Sequence, residues 1–180
     1  MDGDRIAEVV DFWREAGRER WFTKDAAFDR RFRERFLDLH LTAARGELGH
    51  WLATADGALA LMVLLDQYPR NSFRGTAHMY ATDPLARAAA LQAIEAGHDQ
   101  AFPAELRVFF YLPFSHSEVL EDQQRAVALG RLLGADYEKH AVRHHDIVAR
   151  FGRFPHRNPI MGRDTTGEER AFLDEGGFSG

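Results

Sequence analysis

Residues 58–65 have the sequence ALALMVLL, the longest unbroken run of apolar side chains in the chain. Leucine, methionine and alanine dominate this run, and these residues favour a helix over a strand. Because the run is apolar on every side, it predicts a helix that is enclosed by other helices. The polar segment 66–75, DQYPRNSFRG, follows at once. Pro69 is expected to end the helix, since proline cannot donate a backbone hydrogen bond.

Helical periodicity extends on both sides of this run. Phe28, Phe32 and Phe36 recur at helical spacing with arginines and acids between them, and a second apolar stripe follows residues 137–151. Glycine or proline marks most segment ends, and no segment has the alternating pattern of a strand. The sequence therefore predicts an all-α protein of about eight or nine helices in successive antiparallel pairs. We expect residues 1–180 to form a single domain.

Capping residues place several helix starts. An acidic, serine or threonine side chain before a helix can accept the free amides of its first turn, and a Glu three residues later can complete a capping box. The predicted caps are Asp83 before Pro84, Ser115 with Glu118, Asp136, and Thr165 with Glu168.

Composition excludes several classes of function. The chain of 180 residues has 23 basic and 28 acidic residues, and its formal net charge of −5 argues against general nucleic-acid binding. The absence of cysteine excludes disulfides, thiolate metal sites and cysteine nucleophiles. No segment has the length and apolarity of a membrane span or a secretory signal, so we expect a cytoplasmic protein without a membrane partner. All but two of the basic residues are arginines, which suit planar pairing with carboxylate or phosphate.

Asp66 occupies an unfavourable position in the predicted buried helix. A charged side chain is costly to bury, and the carboxyl end of a helix disfavours an anion. Arg70 and Arg74 lie close enough in sequence to compensate it. One interpretation is an internal Asp–Arg clamp that fixes the turn. The other makes Asp66, Gln67, Arg70, Asn71 and Arg74 part of a receptor for an anionic ligand.

Residues 139–163 form a basic stretch, with six cations and a single acid, Asp146. Its centre, residues 150–158, has the sequence RFGRFPHRN and mixes cations with aromatic rings. Guanidinium, imidazole and amide groups there can bind phosphate or carboxylate. The predicted ligand-binding residues in this segment are Arg150, Arg153, His156, Arg157 and Asn158. The alternative is that these arginines pair internally with acids such as Asp66, Glu118 and Asp122.

Histidines offer further candidate chemistry. His116 could act as a general acid or base, with Glu118 to orient it, although Glu118 also fits a capping box. His144 lies on an apolar stripe one turn after His140, a spacing that is only a weak metal signal. We therefore predict no metal site. His40, His50, His78 and His98 show no comparable clustering, and we expect ordinary packing or surface roles for them.

A metal-dependent phosphohydrolase is a further alternative. Such a site would use His116, the pair His145 and Asp146, and either Asp164 or Asp174. However, Asp146 lies within one turn of Arg143 and of Arg150 on the face opposite the apolar stripe. A solvated, ion-paired helix face explains it more simply.

Four segments together resemble the bacterial Domain of Unknown Function 924 family: LLDQYPRNSFRG at 64–75, ATDPLA at 81–86, YLPFSHSE at 111–118 and RFGRFPHRN at 150–158. The likeness extends over nearly the whole chain. It implies a tetratricopeptide-like, right-handed α-α superhelix, but it implies no activity. The positions that match the family pattern are Asp66, Gln67, Arg70, Asn71, Arg74, Asp83, His116, Glu118, Gln123, His144, Arg150, Arg153, His156, Arg157, Asn158 and Arg163.

Three hypotheses for function follow. The leading one is a polar cavity in which arginines, histidines and acids from separate turns gather and bind a small anionic metabolite. The first alternative is a hydrolase or transferase that uses His116 and Glu118, with arginines stabilising an anionic transition state. The second is a tetratricopeptide-like interaction module with an apolar or aromatic groove for a protein segment. The sequence identifies no cofactor and no particular protein partner.

Overall fold

In the computed structural model, residues 2–178 are described, and they form nine helices and no strand. The all-α class is therefore confirmed, whereas the superhelical arrangement stays a prediction. None of the helices in this part of the chain is long and apolar enough to cross a membrane. The helices are α1 (Asp2–Trp21), α2 (Ala26–Ala44), α3 (Ala55–Met62, continuing through Val63–Gln67 into Tyr68–Ser72), α4 (Asp83–Glu95), α5 (Ala104–Ser115), α6 (Leu120–Leu133), α7 (Ala135–Phe151), α8 (Asn158–Met161) and α9 (Gly167–Asp174).

The backbone divides into two compact units. The N-terminal unit comprises residues 1–74 and 78–113, and the C-terminal unit comprises residues 75–77 and 114–180. Each unit is described by itself below. The expectation of a single domain over residues 1–180 stays a prediction.

Aromatic rings build the core of the N-terminal unit. Phe12 on α1 stacks on Phe28 and Phe32 of α2, with ring centroids 5.4 and 5.2 Å apart. The Asp25 carboxylate caps α2 by accepting the amides of Ala27 and Phe28. The predicted stripe on α2 therefore faces the core, where Phe28 and Phe32 are buried. Residues 58–65 are buried too, as their uniform apolarity predicts.

The predicted end of α3 at Pro69 is wrong. The helix passes through a π-helical turn at Val63–Gln67 and continues to Ser72, with Pro69 in the first turn after the widening. The amide of Tyr68 donates to the carbonyl of Val63, five residues back. A proline near the start of a helical turn costs little, because its missing N–H is not needed there. The helix therefore continues past Pro69, while backbone carbonyls at the turn lose their usual helical partners.

The C-terminal unit is built on the hairpin of α6 and α7. A Cβ atom at Gly130 would lie 3.0 Å from the backbone oxygen of Tyr137, so a larger side chain would require the closely packed helices to shift slightly. Ile147, Val148 and Phe154 form the buried centre of this unit. Phe151, Phe172 and Phe178 pack against that centre.

Four predicted caps need correction. Ser115 lies within α5, and the Glu118 carboxylate is held elsewhere, so they do not form a capping box before α6. The box of α9 is one residue later than predicted, at Thr166 and Glu169. Thr82 and Gly134 occupy the N-caps of α4 and α7. Asp83 lies one residue inside α4, where its carboxylate pairs with an arginine instead.

Candidate functional site

Asp66 in the π-helical turn of α3 is fully buried. Its Oδ2 accepts Nε2 of Gln67 at 2.6 Å, and its Oδ1 lies 3.2 Å from an Nη atom of Arg70. The same guanidinium also pairs with both carboxylate oxygens of Asp83, at 2.8 and 3.0 Å. Charge-assisted, two-pronged bonds of this kind are strong and strongly directional. For Arg70, the internal clamp with Asp66 is therefore confirmed, and Asp83 is an additional partner.

Three consecutive carbonyls around the π-helical turn accept side-chain donors. The carbonyl of Leu64 accepts Nδ1 of His40 at 2.9 Å, and that of Leu65 accepts the hydroxyl of Thr82 at 2.5 Å. The carbonyl of Asp66 accepts Arg70 at 2.9 Å. Because Pro69 cannot donate, the carbonyls one turn before it need such substitutes. Side chains from α2 and from the start of α4 thus support an otherwise costly buried turn.

Asn71 and Arg74 converge on a different acid. Asn71 donates Nδ2 to Oδ1 of Asp29 at 2.7 Å, and Arg74 donates Nε to Oδ2 of the same carboxylate at 2.8 Å. Asp29 lies more than 40 residues earlier in the chain and belongs to α2. The interpretation that Arg74 helps Asp66 is therefore not supported by these contacts, which instead tie the end of α3 to α2.

His40 is a buried titratable residue of this unit, and the sequence did not predict its contact with His78. It is buried, its Nδ1 donates to the carbonyl of Leu64, and its Nε2 lies 2.8 Å from Nε2 of His78. With Nδ1 protonated, Nε2 must accept the proton of His78. Burial lowers the pKa of His40, the bond to the carbonyl of Leu64 opposes this shift, and the electrostatic interaction with His78 adds to it. The four-residue step from Phe36 to His40 was the available signal, since it places His40 on the buried stripe.

Arg153 and Asn158 in the basic segment share one acid, Glu169. Arg153 donates to both oxygens of Glu169, at 2.6 and 2.9 Å, and Asn158 donates Nδ2 at 3.2 Å. The hydrogen bonds from Arg153 lower the pKa of Glu169 to about 2. Burial opposes this shift, whereas the bond from the amide of Thr166 adds to it. Glu169 is therefore a stable anion, and this group joins residues 153–158 to α9. Arg150 pairs with Glu168 on the exposed surface nearby.

Glu118 anchors the same segment from its other side. Arg163 donates to both carboxylate oxygens, at 2.7 and 3.0 Å, and the amide of Phe154 donates to Oε1 at 2.8 Å. Burial raises the pKa of Glu118, but the bonds from Arg163 and Phe154 outweigh it and leave a net lowering. A carboxylate held in this way is a weak base. These contacts do not support a role for Glu118 in orienting His116, which stays a prediction.

Histidines gather around the buried His144 of α7, and we call His116, His140, His144 and Arg157 the histidine cluster. The ring centroids of His140 and His116 lie 4.5 and 6.3 Å from that of His144. Arg157, which is buried, donates to the carbonyl of His116 at 3.0 Å, and its guanidinium lies 4.5 Å from the ring centre of Phe154. The backbone of residue 116 and the basic segment are thereby joined directly.

Burial and neighbouring groups favour the neutral forms of two rings of the histidine cluster. Burial lowers the pKa of His144 to about 3. The bond from its Nδ1 to the carbonyl of His140 acts in the opposite direction, and interactions with His116, His140 and Arg157 lower the pKa further. Burial also lowers the pKa of His140, with added effects of His116 and Arg143. Because an anion stabilises a protonated imidazole, an anion bound beside these rings would oppose the shifts.

Phe178 packs on one side of the histidine cluster. Its ring lies 4.6 Å from that of His144 and 5.3 Å from that of His156, with edge-on geometry in both cases. Arg143 approaches the same ring to 5.2 Å. His156, a predicted ligand-binding residue, therefore reaches the cluster through Phe178. The role of residues 175–178 in covering the cluster had no signal in the sequence.

Within residues 2–178, no group of three or more His, Asp or Glu side chains has the geometry to hold a metal ion. His145 and Asp146, part of the phosphohydrolase alternative, lie 3.1 Å apart, and Asp146 is exposed. Asp146 is therefore on the solvated face, as the sequence argument expected, but its contact is with His145, and Arg150 pairs with Glu168 instead.

Comparison with known proteins identifies the family. The family model described as "Bacterial protein of unknown function (DUF924)" matches residues 9–177. The chain belongs to this family. A solved structure of a protein of unknown function from Agrobacterium tumefaciens is 60% identical to this DUF924 protein, covers 97% of this chain and 99% of its own, and superposes with a TM-score of 0.95. No curated protein matches the sequence.

The predicted site residues of this DUF924 protein are divided between the two units. Asp66, Gln67, Arg70, Asn71 and Arg74 belong to the N-terminal unit and form two acid–arginine groups there. The C-terminal unit contains His116, Glu118, Arg150, Arg153, His156, Arg157 and Asn158. Within that unit, His116 and Arg157 are brought into direct contact, whereas Arg150 and Arg153 pair with acids of α9. The idea of one cavity shared by all these residues stays a prediction.

Proposed function

We propose that this DUF924 protein binds a small anionic metabolite at the histidine cluster of its C-terminal unit. The observation that carries the proposal is the gathering of the His116 and His140 rings and of the Arg157 guanidinium around the buried ring of His144. An anion relieves the repulsion among such groups and accepts their N–H donors. The ligand class is a phosphate or carboxylate, since both accept from guanidinium and imidazole.

The internal ion pairs narrow the predicted set of ligand residues. Arg70, Arg74, Arg150 and Arg153 each hold a carboxylate of the protein itself. A ligand would have to displace that carboxylate and leave it uncompensated, which is costly at the buried positions. Arg150 and Arg153 therefore support the proposed site indirectly, by tying the basic segment to α9, whereas Arg70 and Arg74 belong to the N-terminal unit. Arg157 and the histidines are the members best placed to contact the ligand directly.

The enzymatic alternative has weaker support. It needs a base or an orienting acid beside His116, but both oxygens of Glu118 are engaged by Arg163 and one also by the amide of Phe154. We therefore keep catalysis by His116 and Glu118 as the second candidate. Turnover of phosphate or carboxylate esters that is lost in His116→Ala and in Glu118→Gln would support it over simple binding.

Isothermal titration calorimetry with inorganic phosphate and with citrate at pH 6.5 tests the binding proposal. His140→Gln is the informative variant, because part of His140 reaches the surface while its ring packs on His144, so its loss leaves the buried ring of His144 in place. Losing one charge-assisted contact is expected to weaken binding about tenfold. His145→Gln, on the same helix, is the matched control and should bind as the wild type does. Absence of binding by both anions at millimolar concentrations, or equal affinities in the two variants, would refute the proposal.

A further inference from the structure

The N-terminal unit contains a groove between α1 and α2 that the proposed anion site does not use. The groove encloses about 570 Å³, a volume within the usual range for ligand sites. Its centre is aromatic and its rim is charged. The residues that line this groove are Phe12, Glu15, Ala16, Arg20, Phe28, Arg31, Glu34 and Arg35.

The floor of the groove is rigid and apolar. Phe12, which is only partly buried, stacks on the buried rings of Phe28 and Phe32 at interplanar angles of 20° and 21° and meets Phe36 edge-on. Ala16 leaves room beside Phe12 because its side chain is a single methyl group. An aromatic or large aliphatic side chain can therefore lie on Phe12 without any rearrangement of the core.

The arginines of the rim differ in how they are held. Arg35 donates Nε to Glu8 at 2.9 Å and lies over Phe12 and Phe36. Within the described residues, Arg20 and Arg31 donate no side-chain hydrogen bond. Both interact with Asp25 through their charges, but its Oδ1 accepts the first amides of α2 instead. Their guanidinium donors are thus available to a partner.

We propose that this groove binds a short peptide segment of a partner protein that carries acidic side chains next to an apolar one and a basic side chain elsewhere along its length. An apolar side chain of the segment lies on Phe12 beside Ala16, and flanking carboxylates accept from Arg20 and Arg31. Glu15 and Glu34 place negative charge on the same rim, so the groove carries both signs. A polypeptide can match both signs along its length, whereas a small anion would meet repulsion from the two glutamates.

Selection of peptides from a random twelve-residue phage library on the whole protein tests the proposal. The selected sequences are expected to be enriched in Asp or Glu next to Phe, Tyr or Leu. Binding of a selected peptide, followed by fluorescence anisotropy, is expected to weaken at least about tenfold in Arg20→Glu/Arg31→Glu. Arg30→Glu is the matched control, because Arg30 is exposed on α2 and lies outside the lining; its affinity should equal that of the wild type.

Three outcomes of these experiments would overturn the proposal. Selection without enrichment means that the groove has no peptide preference. Selected peptides that bind Arg20→Glu/Arg31→Glu as tightly as the wild type use another surface. Equal weakening in Arg30→Glu would show a general effect of net charge. All three substitutions lie at exposed helix positions, so we expect the three proteins to have the same melting transition by circular dichroism. Unchanged melting shows that a loss of affinity reflects the groove and not unfolding.

Discussion

Substitution His144→Phe should make the stability of the protein much less sensitive to mild acid. His144 is buried, and its pKa in the folded protein is about 3, compared with an ordinary value of 6.5. The unfolded chain therefore binds a proton at His144 below about pH 6.5, whereas the folded chain binds it only below about pH 3. The stability that neutral His144 contributes is thus present above pH 6.5 and is lost as the pH falls.

The magnitude follows from the two pKa values. Each pH unit below the unfolded pKa costs about 1.4 kcal/mol for one such group. Between pH 7.5 and 5.0 the loss attributable to His144 is about 2 kcal/mol. Phenylalanine keeps the ring contacts with Phe154 and Phe178 but cannot titrate, and it also loses the bond to the carbonyl of His140. The variant should be less stable at pH 7.5 and have a flatter pH profile.

Urea unfolding followed by circular dichroism, at half-unit pH steps, provides the assay. The quantity of interest is the difference between the free energies of unfolding of the wild type and His144→Phe at each pH. That difference should shrink by about 2 kcal/mol from pH 7.5 to 5.0. His145→Phe, which removes a more exposed histidine from the same helix, should follow the wild-type profile. A constant difference for His144→Phe across the range would refute the assignment of a buried, neutral His144.

Three further predictions concern individual contacts. Thr82→Val removes the donor to the buried carbonyl of Leu65 and should lower the free energy of unfolding by about 1–3 kcal/mol; an unchanged urea midpoint would contradict this. Glu118→Gln weakens the two-pronged bond with its arginine and should cost about 2 kcal/mol at neutral pH, with the loss disappearing in strong acid as the wild-type carboxylate protonates. Phe178→Ala should raise the pKa of His144 in NMR titrations by admitting water; an unchanged titration would show that Phe178 does not shield it.

Local pattern was sufficient to predict the helices and much of the core. The spacing of Phe28, Phe32 and Phe36 correctly predicted the buried face of α2, and the uniform apolarity of residues 58–65 correctly predicted an enclosed helix. The continuation past Pro69 was not predictable from its own segment. It depends on donors from His40 and other distant side chains, which replace the missing helical bonds.

The partners of the arginines were only partly predictable. Arg70 pairs with Asp66 four residues away, a distance that helical geometry brings into contact. Arg153 instead pairs with Glu169, and Arg74 with Asp29, across loops whose paths the sequence does not reveal. Sequence patterns therefore indicated that the charges needed compensation, but tertiary packing determined which acid supplied it.

The histidine cluster combined one expected and one unexpected feature. The position of His144 on an apolar stripe correctly indicated a buried histidine, and the one-turn step to His140 placed their rings together. The approach of His116 from before α6 depends on Arg157, which holds the carbonyl of residue 116 from 41 residues away. The presence of a guanidinium in the cluster is a consequence of that tertiary contact.

Titration of the histidine rings by NMR, with and without inorganic phosphate, tests the central claim most directly. A phosphate bound at the histidine cluster stabilises the protonated imidazolium, so it should raise the pKa of His140 and shift the ring signals of His140 and His144 in a saturable manner. The rings of His50 and His98, in the N-terminal unit, serve as internal controls and should not respond. Ring signals of His140 and His144 that are unaffected by phosphate, or that change only in parallel with the controls, would contradict anion binding at the cluster.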